Sequence, residues 1–409
     1  MKVLHLNTTD IIGGAGIAAF RLHTALRKNG VESYMLVQDK KSKDPFVYKS
    51  SSIPYFNEIR AELDYFPLRF VLKGKSVFSS SWLHDCNNKI IRKIKPDIIH
   101  LHWIAGGFIK IENLKKPSSP IIWSLHDMWP FTGGCHYDNE CNKYKSNCID
   151  CPMLKTNSKL SRKIFNRKET SYKQIKNLHI NGLSKWLSNC AKDSKLFSEN
   201  KISNIPNCID INEFYPIDKL AAKKNLGIDI NKKNILFGAV AATKDKRKGF
   251  DLLKEALFKM KTKENKTFSV FGSKQANHTD RNGFKFNYLG HISNIELLRT
   301  VYSAADVIVI PSRQENLSNV VMEALACGTP VVAFDIGGMP DMISHKENGY
   351  LAKGFNTDDL LNGIEWLLNN SNLKQISENA HQSIKNKFLD SKIATQYIDV
   401  YSKMMSENR

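Results

Sequence analysis

Apolar residues in this chain bunch into short runs, separated by longer stretches in which they recur every third or fourth position. Val3-Leu4-His5-Leu6-Asn7 reads as a buried strand leading to the turn Gly13-Gly14-Ala15-Gly16, after which Ile17, Phe20, Leu22 and Leu26 trace one helix face as far as Gly30. A second strand runs from Val31 to Val37. Strand, helix and strand at this spacing favour a parallel sheet. Further buried-type strands are expected at 97–103, 120–125 and 178–183. Turn-forming Asn, Asp and Pro then accumulate between Ile205 and Pro216, which marks an interdomain linker. Beyond it the alternation restarts, with strands at 235–240, 267–271, 286–289, 307–310 and 330–333 and helices at 250–261, 294–303 and 317–326. The fold class is therefore α/β: two Rossmann-like doubly wound domains, 1–205 and 217–384, with ligand expected in a cleft between the carboxyl ends of their strands.

Composition narrows the class. With 42% hydrophobic and 24% charged residues, 22 Gly and 13 Pro in 409 positions, disordered and collagen-like chains are excluded. No run approaches the 18 apolar residues of a spanning helix, and the first residues lack a signal-type apolar core, so a cytoplasmic protein is expected. The net charge is +20, and most of it lies in residues 1–200, where 32 Lys/Arg face 17 Asp/Glu. Such an excess calls for an anionic partner: nucleic acid, an anionic membrane surface or a phosphorylated substrate. No nucleic-acid reader motif accompanies it, and no nucleic-acid partner is expected. The first glycine turn also lacks the G-x-G-x-x-G frame of a dinucleotide oxidoreductase.

The most informative segment is Pro311 to Pro330. Glu315 falls in the loop after a strand and Glu323 falls in the next helix, so two carboxylates eight residues apart can accept hydrogen bonds from separate hydroxyls of one extended ligand. The amides of Asn316, Leu317 and Ser318 are expected to open that helix and present its positive end to an anion. The frame Pro311-Ser312, Glu315, Glu323-Ala324-Leu325-Ala326, Gly328, Pro330-Val331-Val332-Ala333, Asp335 and Gly337-Gly338 resembles the retaining glycosyltransferases of family 4, which have the GT-B fold.

That resemblance implies a hexosyltransferase using a nucleotide-diphosphate sugar donor, with Glu323 on the nucleotide ribose and Glu315 on the transferred sugar. Arg247-Lys248-Gly249-Phe250 resembles the family's diphosphate-binding turn, which assigns Lys248 to the leaving diphosphate. The family's further Arg is replaced by Ala242, and Arg247, Lys244 or Lys246 is left to supply that contact. Gly14 and Gly16 resemble its glycine loop, and His126, ending the strand 121–125, resembles its sugar-contacting histidine. His100 and His102 alternate onto one strand face, as structural or functional groups. The resemblance also implies that no cofactor is required for chemistry and that a C-terminal helix, about 385–409, packs back on the first domain. An epimerase of the same fold is the alternative enzyme, and a basic nucleic-acid-binding protein with a zinc module is the alternative of another class.

Two features point outside the donor site. Cys135, Cys141, Cys148 and Cys151 lie within 17 residues, in a run resembling an insertion of enzymes that build bacterial surface polysaccharides. Four thiolates can hold a structural zinc, although only one C-x2-C knuckle is present and an unligated acceptor loop fits equally. Basic clusters at Lys89, Arg92, Lys93 and Lys95, and at Arg162, Lys163, Arg167 and Lys168, are expected to face an anionic membrane. The acceptor implied is a glycan on a lipid diphosphate, reached from the inner face of the cell membrane by a peripheral protein.

Overall fold

The computed structural model describes the chain except residues 52, 54, 55, 75, 76, 86, 239–244, 274–285 and 409. Ala242, Lys244 and the last two residues of the expected strand 235–240 lie outside the described residues. Two compact units form, one from Met1–Cys208 with Asp390–Arg409 and the other from Ile209–Leu389.

The first unit is built on seven parallel strands: β1 (Lys2–Thr9), β2 (Glu32–Asp39), β3 (Val47–Lys49), β4 (Ile98–Leu101), β5 (Ile121–Leu125), β6 (Leu178–Gly182) and β7 (Lys201–Ser203), in the order β3-β2-β1-β4-β5-β6-β7. Central strands β4 and β5 are buried at every position, which is why their sequences read as continuous apolar runs and not as alternations. The helix Asp390–Glu407 covers one sheet face: Ile393, Ala394, Tyr397, Tyr401 and Met404 share a core with Val3, Ile98 and Ile122. Each large apolar side chain sealed there contributes roughly 1.5–3 kcal/mol.

The second unit has six parallel strands: β8 (Lys233–Gly238), β9 (Lys266–Phe271), β10 (Phe286–Gly290), β11 (Val307–Ile310), β12 (Val331–Phe334) and β13 (Gly349–Ala352), in the order β10-β9-β8-β11-β12-β13. The stretch read as a linker divides between the units. Ile205 and Cys208 enter the first core, whereas the Ile209 amide donates to the Phe388 carbonyl at 3.0 Å inside the second unit.

One sequence reading is corrected here. The cluster Arg162, Lys163, Arg167 and Lys168 is not a solvated face. The helix Leu160–Tyr172 buries Ile164, Lys168, Ser171 and Tyr172, positions that share one side at helical spacing, so Lys168 is carried inward. Arg167 forks onto Glu112 at 2.6 and 2.9 Å. Only Arg162 and Lys163 of the four stay exposed. The other cluster, Lys89, Arg92, Lys93 and Lys95, is exposed throughout.

Candidate active site

In the second sheet the strand order reverses between β8 and β11, and at such a point two successive loops part in opposite directions and leave a crevice beyond the strand ends. A pocket occupies that crevice, lined by Gly238 at the end of β8, Ile310 at the end of β11, and Lys248, Ser312, Glu315 and Ser318 from the loops. Lys248 closes a short 3-10 turn, Lys246–Lys248, in which the Arg247 amide donates to the Asp245 carboxylate and the Lys248 amide to the Asp245 carbonyl. Its Nζ donates to Glu315 Oε2 at 2.7 Å, with both side chains largely shielded from water. Arg247 is held by Asp245 at 2.7 Å.

Glu315 is fixed from behind by backbone. The Gly338 amide donates to its carbonyl at 3.2 Å, and Gly337, at φ +54°, lies so close that a Cβ there would sit 2.0 Å from the same carbonyl oxygen. Any side chain at 337 would push the Glu315 loop off its place. The following helix begins at Asn319, with Ser318 as an extended N-cap whose Oγ accepts from the Val321 amide. Asn316 and Leu317 therefore lie ahead of the helix, contrary to the sequence reading, while Ser318 opens it as the cap, because its hydroxyl satisfies an amide the helix cannot. Glu323, a little over one turn in, is buried and accepts from the Tyr302 hydroxyl at 2.8 Å. Burial and the Glu323 charge together push the Cys327 thiol up. Tyr302 was not singled out in the sequence, since a tyrosine late in an amphipathic helix looks like ordinary packing.

The first unit carries its own set at the reversal between β1 and β4. Gly16, in the helix Gly13–Lys28, has no room for a Cβ, which would meet Thr9 Oγ1 at 2.6 Å; Gly14, two residues earlier, is exposed. Asp10 anchors this loop by accepting from the amides of Ile11, Lys41 and Ser42. Burial raises its carboxyl, and those hydrogen bonds outweigh burial and leave it below the usual carboxylate range.

His126 lies just past β5, and its Nε2 meets His102 Nδ1 at 3.1 Å, while His102 Nε2 meets His5 Nδ1 at 2.9 Å. His100 is engaged on both nitrogens, by Tyr401 at 2.7 Å and Ser124 at 2.8 Å. Burial drives His126 down to about 4 despite the Asp127 charge, and drives His5, His100 and His102 well below the ordinary histidine range. These rings are neutral at physiological pH. Asp127 is itself tied down: its Oδ2 accepts from Trp103 Nε1 at 2.9 Å and meets His136 Nδ1 at 2.6 Å, and His136 Nε2 reaches Ser79 at 2.9 Å. This Ser79–His136–Asp127 chain spans 57 residues of sequence, too far for any local pattern to announce it.

The cysteine loop follows directly. Cys135 and Cys148 are buried, Cys141 and Cys151 half-buried, and all four are reduced. A hydrogen bond from Cys135 holds the Cys151 thiol down at about 7, and burial pushes Cys148 up to about 12.

Two doubly wound parallel sheets, with an acidic–basic pocket at a strand-order reversal, are the construction of a GT-B glycosyltransferase. Models described as Glycosyltransferase Family 4 and as Glycosyl transferases group 1 match residues 12–213 and 232–370, and the chain belongs to this family of enzymes. WcaC of Escherichia coli, a glycosyl transferase named for colanic acid biosynthesis, is 22% identical over 81% of this chain and 83% of its own. The N,N'-diacetylbacillosaminyl-diphospho-undecaprenol alpha-1,3-N-acetylgalactosaminyltransferase of Campylobacter jejuni is 31% identical over 51% of this chain and 56% of its own. Among solved structures, sucrose-phosphate synthase of Thermosynechococcus elongatus superposes with a TM-score of 0.72 at 18% identity, covering both chains fully. HepE of Anabaena, in complex with UDP-glucose, gives 0.67 at 17% identity over 98% of this chain and 100% of that one.

Proposed function

We propose that this glycosyltransferase moves a sugar, with retention of configuration, from a nucleotide-diphosphate sugar to a lipid-diphosphate-linked glycan during assembly of a bacterial surface polysaccharide. The observation that carries the reading is the Lys248–Glu315 pair at the β8/β11 reversal, followed by buried Glu323. One ammonium and two carboxylates at that spacing suit a ligand with a diphosphate at its centre and hydroxyls at each end. Lys248 would turn from Glu315 to the diphosphate as a point charge, freeing the carboxylate for sugar hydroxyls. Glu323 would take the ribose. The acceptor hydroxyl then attacks on the face from which the diphosphate departs and passes its proton to a phosphate oxygen; orientation and charge stabilisation are the protein's share. This route asks no metal of the chemistry. HepE was solved with UDP-glucose and the Campylobacter relative is named for a diphospho-undecaprenol acceptor, which supports both ligand classes.

A panel of nucleotide sugars in a thermal-shift experiment tests the donor, since a ligand bound only to the folded state raises its melting temperature. One donor should stand out, and the anomeric proton coupling of the product should match that of the donor. An inverted product, or a donor converted without acceptor, would overturn the retaining-transfer reading.

For the membrane, no helix among the described residues is long and apolar enough to cross it. Peripheral docking has support of another kind. In the helix Phe56–Tyr65 and the turn Phe66–Phe70, the side chains of Phe56, Ile59, Leu63, Phe66 and Phe70 are exposed, the last at 62%. Their spacing sets the first three on one side of the helix, an apolar face of the kind that enters a bilayer interface. Together with the exposed cluster at Lys89, Arg92, Lys93 and Lys95, it predicts binding to anionic vesicles that falls with salt. Phe66→Ser with Phe70→Ser should weaken sedimentation with such vesicles and leave nucleotide affinity intact. Equal partitioning of the unaltered protein onto neutral and anionic vesicles at low salt would refute it.

A further inference from the structure

The turn that carries Lys248 is gripped by an arginine that the transfer reaction leaves unused. Resting on the reading that Lys248 meets the donor diphosphate, we propose that Arg313 is a positioning residue for that contact. It locks the backbone of the Lys246–Lys248 turn to the loop after β11, so that Lys248 moves only at its side chain.

Arg313 follows the end of β11 by three residues, in the loop that runs on to Glu315. Its backbone amide donates to the Arg247 carbonyl at 2.7 Å, and its Nη1 donates to the Lys246 carbonyl at 2.7 Å. The two carbonyls directly before Lys248 are thus held by one residue. The guanidinium is itself oriented, since Nη1 and Nη2 donate to the two Asp251 carboxylate oxygens at 2.8 and 2.7 Å. Such a planar fork fixes both the place and the plane of the head group. Asp251 lies in the first turn of the helix Phe250–Phe258, so the Lys248 turn, the helix after it and the loop after β11 meet at this one side chain. Gly249 makes the close seating possible: its φ is +70°, and a Cβ there would lie 1.8 Å from the Pro311 carbonyl oxygen.

The same loop supplies the resting partner of the ammonium. Ser312 Oγ donates to Glu315 Oε2 at 3.4 Å, and Lys248 Nζ donates to that oxygen at 2.7 Å. With the backbone anchored on both sides of Lys248, exchange of Glu315 for a diphosphate needs only rotation of the lysine side chain. The freedom of the turn is then lost on folding and not on binding. Stability does not account for the arrangement. The side chains of Arg313 and Asp251 are 34% and 60% exposed, and an ion pair that open to water adds little to the folded state.

Titration calorimetry of the full chain with UDP, GDP and ADP supplies the probe, the tightest binder of the three. Lys248→Met should weaken it about tenfold and Arg313→Met about fivefold. The double variant should be no weaker than Lys248→Met alone, because Arg313 acts through Lys248. Arg313→Lys should behave as Arg313→Met does, since it keeps the charge and loses the fork. Both Arg313 variants should melt within about 3 °C of the unaltered protein. Full affinity in Lys248→Met, or no binding of any of the three nucleotides, would overturn the diphosphate reading and the positioning role with it. Weakening in Lys248→Met, with both Arg313 variants at full affinity, would overturn the positioning role and leave that reading standing. So would effects that multiply in the double variant, full affinity in Arg313→Lys, or a loss of affinity that comes with a large fall in melting temperature.

Discussion

The Tyr302 hydroxyl reaches a carboxylate that is 4% exposed, and Thr329 in turn donates to the Tyr302 carbonyl at 2.7 Å. Tyr302→Phe removes one charge-assisted hydrogen bond, about 1.5–3 kcal/mol, without removing the ring that packs edge-on against Phe271. On the proposed roles it should raise the KM for the donor roughly tenfold or more and leave kcat within about twofold. Glu315→Ala should do the reverse, depressing kcat by about a hundredfold with a smaller change in KM. Steady-state kinetics on the identified donor separates the two, and equal effects on both constants would remove the division of labour between the carboxylates. Lys168→Met offers a different contrast. It deletes a buried charge and fills the same space, so a rise in melting temperature, read by a thermal melt against the unaltered protein, is the expected result.

Among the elements, β1, β4 and the segment after β5 bring four neutral imidazoles into contact, and Tyr401 and Ser124 hold one of them from neighbouring elements. Between about pH 6.5 and 4 the unfolded chain protonates its histidines, whereas His126 in the folded protein stays neutral down to about 4. The unfolded state then binds more protons, so stability is fully present above pH 6.5 and falls as pH drops through that window, by up to about 1.4 kcal/mol per pH unit for each ring. Asp127, the charged group facing His126, opposes this only in part. Melting temperature measured from pH 7.5 to 4.5 should decline steeply below 6.5, and His126→Asn should flatten the decline. The order of the central strands and their helices was legible because those strands are parallel and buried, which writes them as apolar runs, whereas β3, β7 and β13 are short and partly exposed and leave no such run. The pair Glu315 and Glu323, Lys248 and the four cysteines were legible because each belongs to a local pattern. Lys168 was misread because a charge inside a helix counts as solvated until the phase of its neighbours Ile164 and Tyr172 is considered. Ser79, Asp127 and His136 could not be assembled from sequence, since a hydrogen-bond chain joining a loop to a segment 57 residues away leaves no spacing to find.

On the scale of the whole molecule, the second unit is inserted into the first: the chain leaves at Cys208 and returns at Asp390. Residues 209–389 close a complete sheet and core of their own, so as a separate fragment they should fold cooperatively, with a single melting transition. Residues 1–208 alone lack the side chains of Ile393, Tyr397, Tyr401 and Met404 over Val3, Ile98 and Ile122. That fragment should be protease-sensitive and should gain protection when a peptide of residues 390–409 is added. A fragment 1–208 as resistant as the full protein would show the last helix to be dispensable.

The return of Tyr397 and Tyr401 to the first sheet also sets a timetable during synthesis. The ribosome releases β1 well before the helix that seals it, so the first unit waits, unsealed, through the translation of residues 209–389. A stop codon placed between positions 390 and 409 would leave Lys248, Glu315 and Glu323 untouched and still strand the first unit with an open apolar face, a target for chaperones and proteases. Only a chain translated through the helix Asp390–Glu407 can bury what β1 exposes.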